Sequence, residues 1–195
     1  NHAIDTDLIV KRLVKDKAYR AVSWLPLTAP GFDKTRKPYD FNPDKAKKLL
    51  EEAGYKDGFE FEWTTSQNES WGLPIVEAVI PMFAKVGIKV KVKQVEVSVL
   101  VDAMRKGEYQ AYIISSQTGP DPLAALKCFH SQTPISACGH HRVKNAQIDK
   151  LLDEAAQMED ATKRIELLRQ VDGLVYDEAP VWFFNYNKAV MAVQP

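Results

Sequence analysis

Apolar and polar positions along this chain alternate between two periods, and the changeovers mark the elements. Ala46, Leu49, Leu50 and Ala53 recur at helical spacing. Asn42 is a strong N-cap for that helix, and Pro43 suits its first position, where a missing N–H costs nothing. Gly54 supplies the left-handed residue that ends it. Asp57-Gly58 then turns the chain, and Phe59-Glu-Phe-Glu-Trp63 alternates as a half-buried strand continuing to Thr65. A second helix runs from Ser70 or Trp71 to Val86, with Ile75, Val79, Met82 and Phe83 on one face and Pro81 as a kink or a lost hydrogen bond. Gly87 ends it. Ile88–Val95 is the next strand, with Lys89, Lys91 and Lys93 alternating on its solvent face. Ser98–Lys106 is a short amphipathic helix stopped by Gly107, and Tyr109–Ser115 is a third strand. Strand–helix–strand–helix–strand predicts an α/β fold with a central, largely parallel βαβαβ sheet, right-handed crossovers and flanking helices.

Around this unit the pattern is mostly helical. Asp5 or Thr6 caps a first helix ending near Val14, and an irregular stretch with Trp24, Pro26, Pro30 and Gly31 follows. Asp121–Phe129 reads as a short helix after Pro120; Asn145 caps Ala146–Met158; Asp160 caps Ala161–Glu178. Pro180 breaks the last helix, leaving Val181–Asn187 and Ala189–Val193 as final strands. At 195 residues the chain fits one domain, 1–195, with a sizeable core. With 26 basic and 26 acidic residues the formal charge is zero, which argues against a dominant nucleic-acid or anionic-membrane role while leaving a local basic patch open. No apolar run approaches transmembrane length, and no signal peptide opens the chain.

Five segments carry a resemblance. Tyr39-Asp-Phe-Asn-Pro-Asp-Lys-Ala-Lys-Lys-Leu-Leu-Glu-Glu-Ala-Gly-Tyr-Lys-Asp-Gly-Phe59 is similar to the "Y-x-P-x-x-A-x-x-L-L-x-E-A-G-Y-x-D-G-F" signature of the family 5 extracellular solute-binding proteins, the peptide-, nickel- and related ligand-binding subunits of ABC importers. Ala3–Val10, Val86–Val95, Asn145–Ala155 and Asp177–Phe183 resemble further family segments in the same order. Members are much longer than this chain, so the resemblance implies a single lobe of such a protein, the one termed domain III, with a type II periplasmic-binding-protein-like fold. The first residue, Asn1, fits an excised or processed piece. The implied function is capture, not catalysis: two lobes close on a peptide-like or other small solute and present it to a membrane permease. The implied setting is periplasmic or extracellular, membrane-associated in some members, with an export signal in the parent protein. The implied partners are the solute, the ABC permease subunits and the missing N-terminal lobe, with no nucleic acid and no cofactor. Alternatives are a nickel- or haem-binding member of the same family, or a solute-sensing module of a transcription regulator.

The resemblance also directs attention to particular residues. Ser115-Ser-Gln-Thr-Gly-Pro-Asp-Pro122 follows the third predicted strand, and ligands of open α/β sheets collect at the carboxyl ends of strands. It is similar to a family loop in which an acidic residue holds a peptide ammonium. Asp121 stands at the matching "D-P", where a carboxylate can form a charge-assisted hydrogen bond. Asp121 followed by Pro122 is equally a good helix start. Ser116 stands where the family usually has Trp, and Thr118 or Gly119 where one subgroup has Arg, so an aromatic wall and a carboxylate-binding Arg are missing from their usual places. Ser116, Gln117 and Thr118, with Thr64, Thr65, Ser66 and Asn68 at the C-terminal end of the first strand and the loop after it, are the other candidate ligand contacts. Cys128 and Cys138 lie ten positions apart. In an exported protein they are expected to form a disulfide, although Cys128, His130, Cys138, His140 and His141 are also metal-capable side chains without a standard zinc spacing. Trp24, Trp63, Trp71 and Trp182 are read as packing residues rather than ligand-stacking ones. Ser70 and Ser98 lack a nucleophile-elbow context, His140-His141 lacks an H-E-x-x-H setting, and there is no Gly-rich phosphate loop.

Overall fold

The computed structural model of the chain describes residues 1–67, 71–114 and 121–188, apart from the side chain of His140. Helix α1 (Thr6–Ile9) is capped by Asp5, whose side chain accepts from the Leu8 N–H, and it widens into a π-helical turn over Val10–Val14. Strand β1 (Ala18–Arg20) follows. Helix α2 (Pro43–Glu52) starts at Asn42, whose side chain accepts from the Lys45 N–H at 3.0 Å. Then come β2 (Phe59–Ser66), α3 (Gly72–Ala84), β3 (Ile88–Val95), α4 (Val97–Lys106) and β4 (Ala111–Tyr112). The remaining elements are α5 (Pro122–Leu126), α6 (Ala146–Gln157), α7 (Ala161–Glu178) and β5 (Asn185–Asn187).

The βαβαβ unit is present as a parallel sheet in the order β3-β2-β4. Phe59 pairs with Ile88 and Ser66 with Val95, so β2 and β3 run in register for eight residues. One face carries Phe61 and Trp63 against Ile75, Val76 and Val79 of α3. The other carries Glu60 and Glu62, which pair with Lys91 and Lys93 at 2.6 and 3.2 Å; the alternating lysines are indeed solvated. Two glycines make the tight return from α3 possible. Gly58 and Gly87 both have positive φ, and a Cβ on Gly58 would stand 1.9 Å from the Gly87 carbonyl oxygen.

A second core lies among α5, α6 and α7, with Leu126, Phe129, Ile148, Leu168, Val171 and Val175 fully buried. The segment after α7 joins the two cores. Trp182 and Phe184 pack toward Trp63 and α3, whereas Phe183 packs with the helices.

Two expected strands are shorter than the sequence pattern suggests. The third strand, expected over Tyr109–Ser115, is only Ala111–Tyr112 among the described residues. The side-chain oxygen of Gln110 takes the Glu62 N–H that a longer ladder would have used. Val181–Asn187 pairs only at Asn185–Asn187, antiparallel to β1 in a separate two-stranded sheet. Upstream, Asn1 and Arg20 side chains take the place of a partner strand: Asn1 Nδ2 donates to the Val181 carbonyl, the Phe183 N–H donates to Asn1 Oδ1, and Arg20 Nη1 donates to the Phe183 carbonyl. Ala189–Val193 lies outside the described residues.

Candidate functional site

The parallel register sends the carboxyl ends of β2, β3 and β4 to one edge of the sheet. There the Gln67 N–H reaches the Val95 carbonyl at 2.8 Å and the Ile113 N–H reaches the Thr64 carbonyl at 3.2 Å. Helix α3 also starts at this edge. Gly72 lies against Thr65 and Ile113, and a Cβ there would come 2.6 Å from the Thr65 hydroxyl. The carboxyl ends of β2 and β4 therefore lie side by side where α3 begins.

The sequence suggested Thr64, Thr65 and Ser66 as ligand contacts at the end of the first strand. They do stand at the carboxyl end of β2, but all three are buried. The strand is exposed at its start and enclosed over its last four residues, because α3 packs on one face and α4 meets the other. In this conformation they support the edge from beneath. Asn68, Ser116, Gln117 and Thr118 lie outside the described residues.

Asp121 stands at the start of α5, its side chain 53% exposed. Its Oδ1 accepts from the Leu123 N–H at 3.0 Å, the helix-capping role that the Asp-Pro pair suggests. Arg164 Nη2, on α7, approaches the same oxygen to 3.6 Å. Oδ2 has no partner in the described structure. Sequence reasoning missed Arg164. It is one exposed charge among several on its helix, and nothing local links it to a residue 43 positions earlier.

Behind Asp121 the support is rigid. Cys128 and Cys138 are disulfide-bonded, with Cα atoms 4.9 Å apart. Inside the loop they close, Thr133 Oγ1 donates to the Lys127 carbonyl at 2.7 Å. Trp24 donates its indole N–H to the Ala125 carbonyl at 3.0 Å and meets Phe129 edge-on, while His141 stacks on Phe129. Trp63 and Trp24 are thus packing residues, as expected.

Ser131, His130 and Asp149 come together, but not as a nucleophilic relay. Ser131 Oγ donates to Asp149, and the His130 Nδ1 accepts the Gln132 N–H at 3.0 Å, so that nitrogen is committed to the backbone. Burial alone would raise the Asp149 carboxyl; hydrogen bonds from the Ser131 hydroxyl and N–H outweigh it, and His130 adds to the lowering. Near the edge, burial pushes Tyr112 and Tyr109 upward, so both remain neutral phenols. Among the described residues no three His, Cys, Asp or Glu side chains converge as metal ligands. The arrangement can hold a ligand by polar contact and shape.

A parallel sheet flanked by helices is the architecture of a lobe of a type II periplasmic binding protein. Residues 1–137 match the family described as bacterial extracellular solute-binding proteins, family 5 Middle, and the chain belongs to that family. Heme-binding protein A of Haemophilus influenzae is 28% identical over 192 residues, covering 92% of this chain and 34% of that protein. The dipeptide-binding protein of Escherichia coli is 25% identical over 201 residues, covering 95% and 36%. Among solved structures, the periplasmic binding protein DppA of Helicobacter pylori in complex with peptide STSA superposes with a TM-score of 0.89 at 26% identity, covering 96% of this chain and 37% of that one. HbpA2 of Haemophilus parasuis superposes with a TM-score of 0.87 at 28% identity, covering 95% and 38%. The chain therefore spans little more than a third of the length of these relatives.

Proposed function

We propose that this chain is one lobe of the substrate-binding subunit of an ABC importer, working at the outer face of the membrane or in the periplasm. It contributes half of a cleft that closes on a small peptide-like solute and presents it to the permease. The observation that carries this reading is the convergence of three parallel strand ends at one edge of the sheet, and the half-exposed carboxylate of Asp121 follows the last of them in the sequence. Asp121 keeps one oxygen for the helix cap and offers the other to a ligand ammonium. Asn68 and Ser116–Thr118, which follow β2 and β4 in the sequence, are proposed to complete the polar contacts, and Thr64–Ser66 to hold the edge in place. The family resemblance and the names of the dipeptide-binding protein and of DppA with its bound peptide support a peptide-like ligand; haem binding is the alternative that Heme-binding protein A of Haemophilus influenzae raises.

Asp121→Asn retains the shape and N-cap capacity but removes the charge. In the full-length protein, calorimetric titration with di- to tetrapeptides should show affinity falling about ten- to a hundredfold, as loss of a charge-assisted bond worth about 1.5–3 kcal/mol requires. N-acetylating the peptides should have the same effect on the native protein and little further effect on the variant. Unchanged affinity in both comparisons would leave Asp121 as a helix cap only.

A further inference from the structure

The formal charge of the whole chain is zero, yet its cations are not evenly placed. Residues 8–19 form the π-helical turn after α1, a short 3-10 turn over Lys15–Lys17 and the start of β1. Lys11, Arg12, Lys15 and Lys17 are all exposed there, and none is within ion-pair distance of a carboxylate in the described structure. The fold adds a fifth cation from far along the chain. The Lys188 N–H bonds the Lys17 carbonyl at 2.9 Å, and its ammonium lies 4.4 Å over the Tyr19 ring. Asp7 is taken by Arg20 at 3.3 Å, leaving Asp16 as the acidic side chain of this stretch without an ion-pair partner. Among the cations sit three large exposed apolar groups, Leu8 at 43%, Leu13 at 45% and Tyr19 at 54%.

The backbone here is costly to hold. Lys15 has φ 58° and ψ −133°, a region other residues leave to glycine, and π-helical turns are rare and concentrate at functional sites. We propose that this segment is an interaction surface for an anionic lipid headgroup layer, with the cations at the phosphates and Leu8, Leu13 and Tyr19 dipping into the interface. Three observations favour lipid over an acidic protein face. The patch mixes apolar and cationic side chains in the manner of interfacial segments. Lys11, Lys15 and Lys17 are long and exposed with no ion-pair partner in the described structure, which suits a fluid plane better than a fitted socket. Two shallow depressions of the described surface lie away from the patch, beside Lys47, Glu51 and Lys85 and along α7 at Thr162–Arg169. The reading does not depend on which solute is bound.

The test is sedimentation of the full-length protein with vesicles of phosphatidylcholine alone or with one-third phosphatidylglycerol, at low salt and at high salt. Binding is expected to the anionic vesicles only, and to be lost at high salt. The triple variant Lys11→Glu/Arg12→Glu/Lys17→Glu should lower the bound fraction by about tenfold or more at an unchanged melting temperature. Leu13→Ser should weaken binding while its salt dependence persists. No binding to anionic vesicles, or equal binding to neutral ones, overturns the proposal. So does a triple variant that binds vesicles as the native protein does. Failure on vesicles combined with slower solute uptake by cells carrying the triple variant would assign the patch to an acidic protein partner instead.

Discussion

Asp172 is the most exacting test of how the helical core is held. Its side chain is completely buried on α7. Oδ1 accepts from the Leu25 N–H at 3.1 Å, and Oδ2 accepts from Arg36 Nη1 at 2.5 Å, which ties the irregular segment 25–36 to the helices. Asp172→Ala removes both acceptors at once. The stranded Leu25 N–H alone costs about 1–3 kcal/mol. Arg36, with its side chain only 14% exposed, also loses its counter-ion, although Asp33 at 3.8 Å offers partial relief. Breaking one side of such a pair costs about 3–5 kcal/mol in total. For a chain of this length that is a fall in melting temperature of about 6–20 °C. Urea unfolding followed by tryptophan fluorescence would read it. The double variant Asp172→Leu/Arg36→Met should recover much of the loss, since no charge is then left unpaired. Burial raises the Asp172 carboxyl above its usual range despite Arg36. Its folded form therefore holds a proton more tightly than its unfolded form. Its contribution is complete below the unfolded value and is lost as pH rises through the folded one. Arg36→Met exaggerates that rise, so the single variant should be least stable near neutrality and regain stability as pH falls. A loss under about 1 kcal/mol for Asp172→Ala, or a double variant no better than the single, would refute this account.

Two further outcomes follow from local geometry. Replacing Cys128 and Cys138 by Ser opens a loop of about ten residues and should cost about 2.5–3 kcal/mol by the chain-entropy relation, seen as a melting temperature lower by about 5–12 °C. Ala179 ends α7 with φ 47° and ψ 44°, a left-handed position that favours glycine; Ala179→Gly should raise the melting temperature by about 1–4 °C, and a decrease would show that the conformation is not strained.

The helices were legible in the sequence because their ends are written in adjacent residues. Asn42, Asn145 and Asp160 each cap the helix they precede, and Gly54 and Gly107 end theirs with positive φ. The parallel βαβαβ order was legible for the same reason: alternation and punctuation are local, and a helix between two strands imposes parallel pairing. Even the disulfide followed from spacing and the family's setting. What tertiary structure alone decided is where chain segments far apart satisfy one another. The Gln110 side chain displaces part of a strand ladder, Asn1 and Arg20 stand in for a partner strand at Val181–Phe183, and β1 becomes a strand only because Asn185–Asn187 lies beside it. The candidate site divides along the same line. Asp121 announced itself through the Asp-Pro pair, whereas Arg164 reaches it, and Thr64–Ser66 become buried, only once α3, α4 and α7 have packed. Backbone preference acts over a few residues and can be read in order; burial and charge pairing depend on which surfaces meet, and that is settled only by the folded whole.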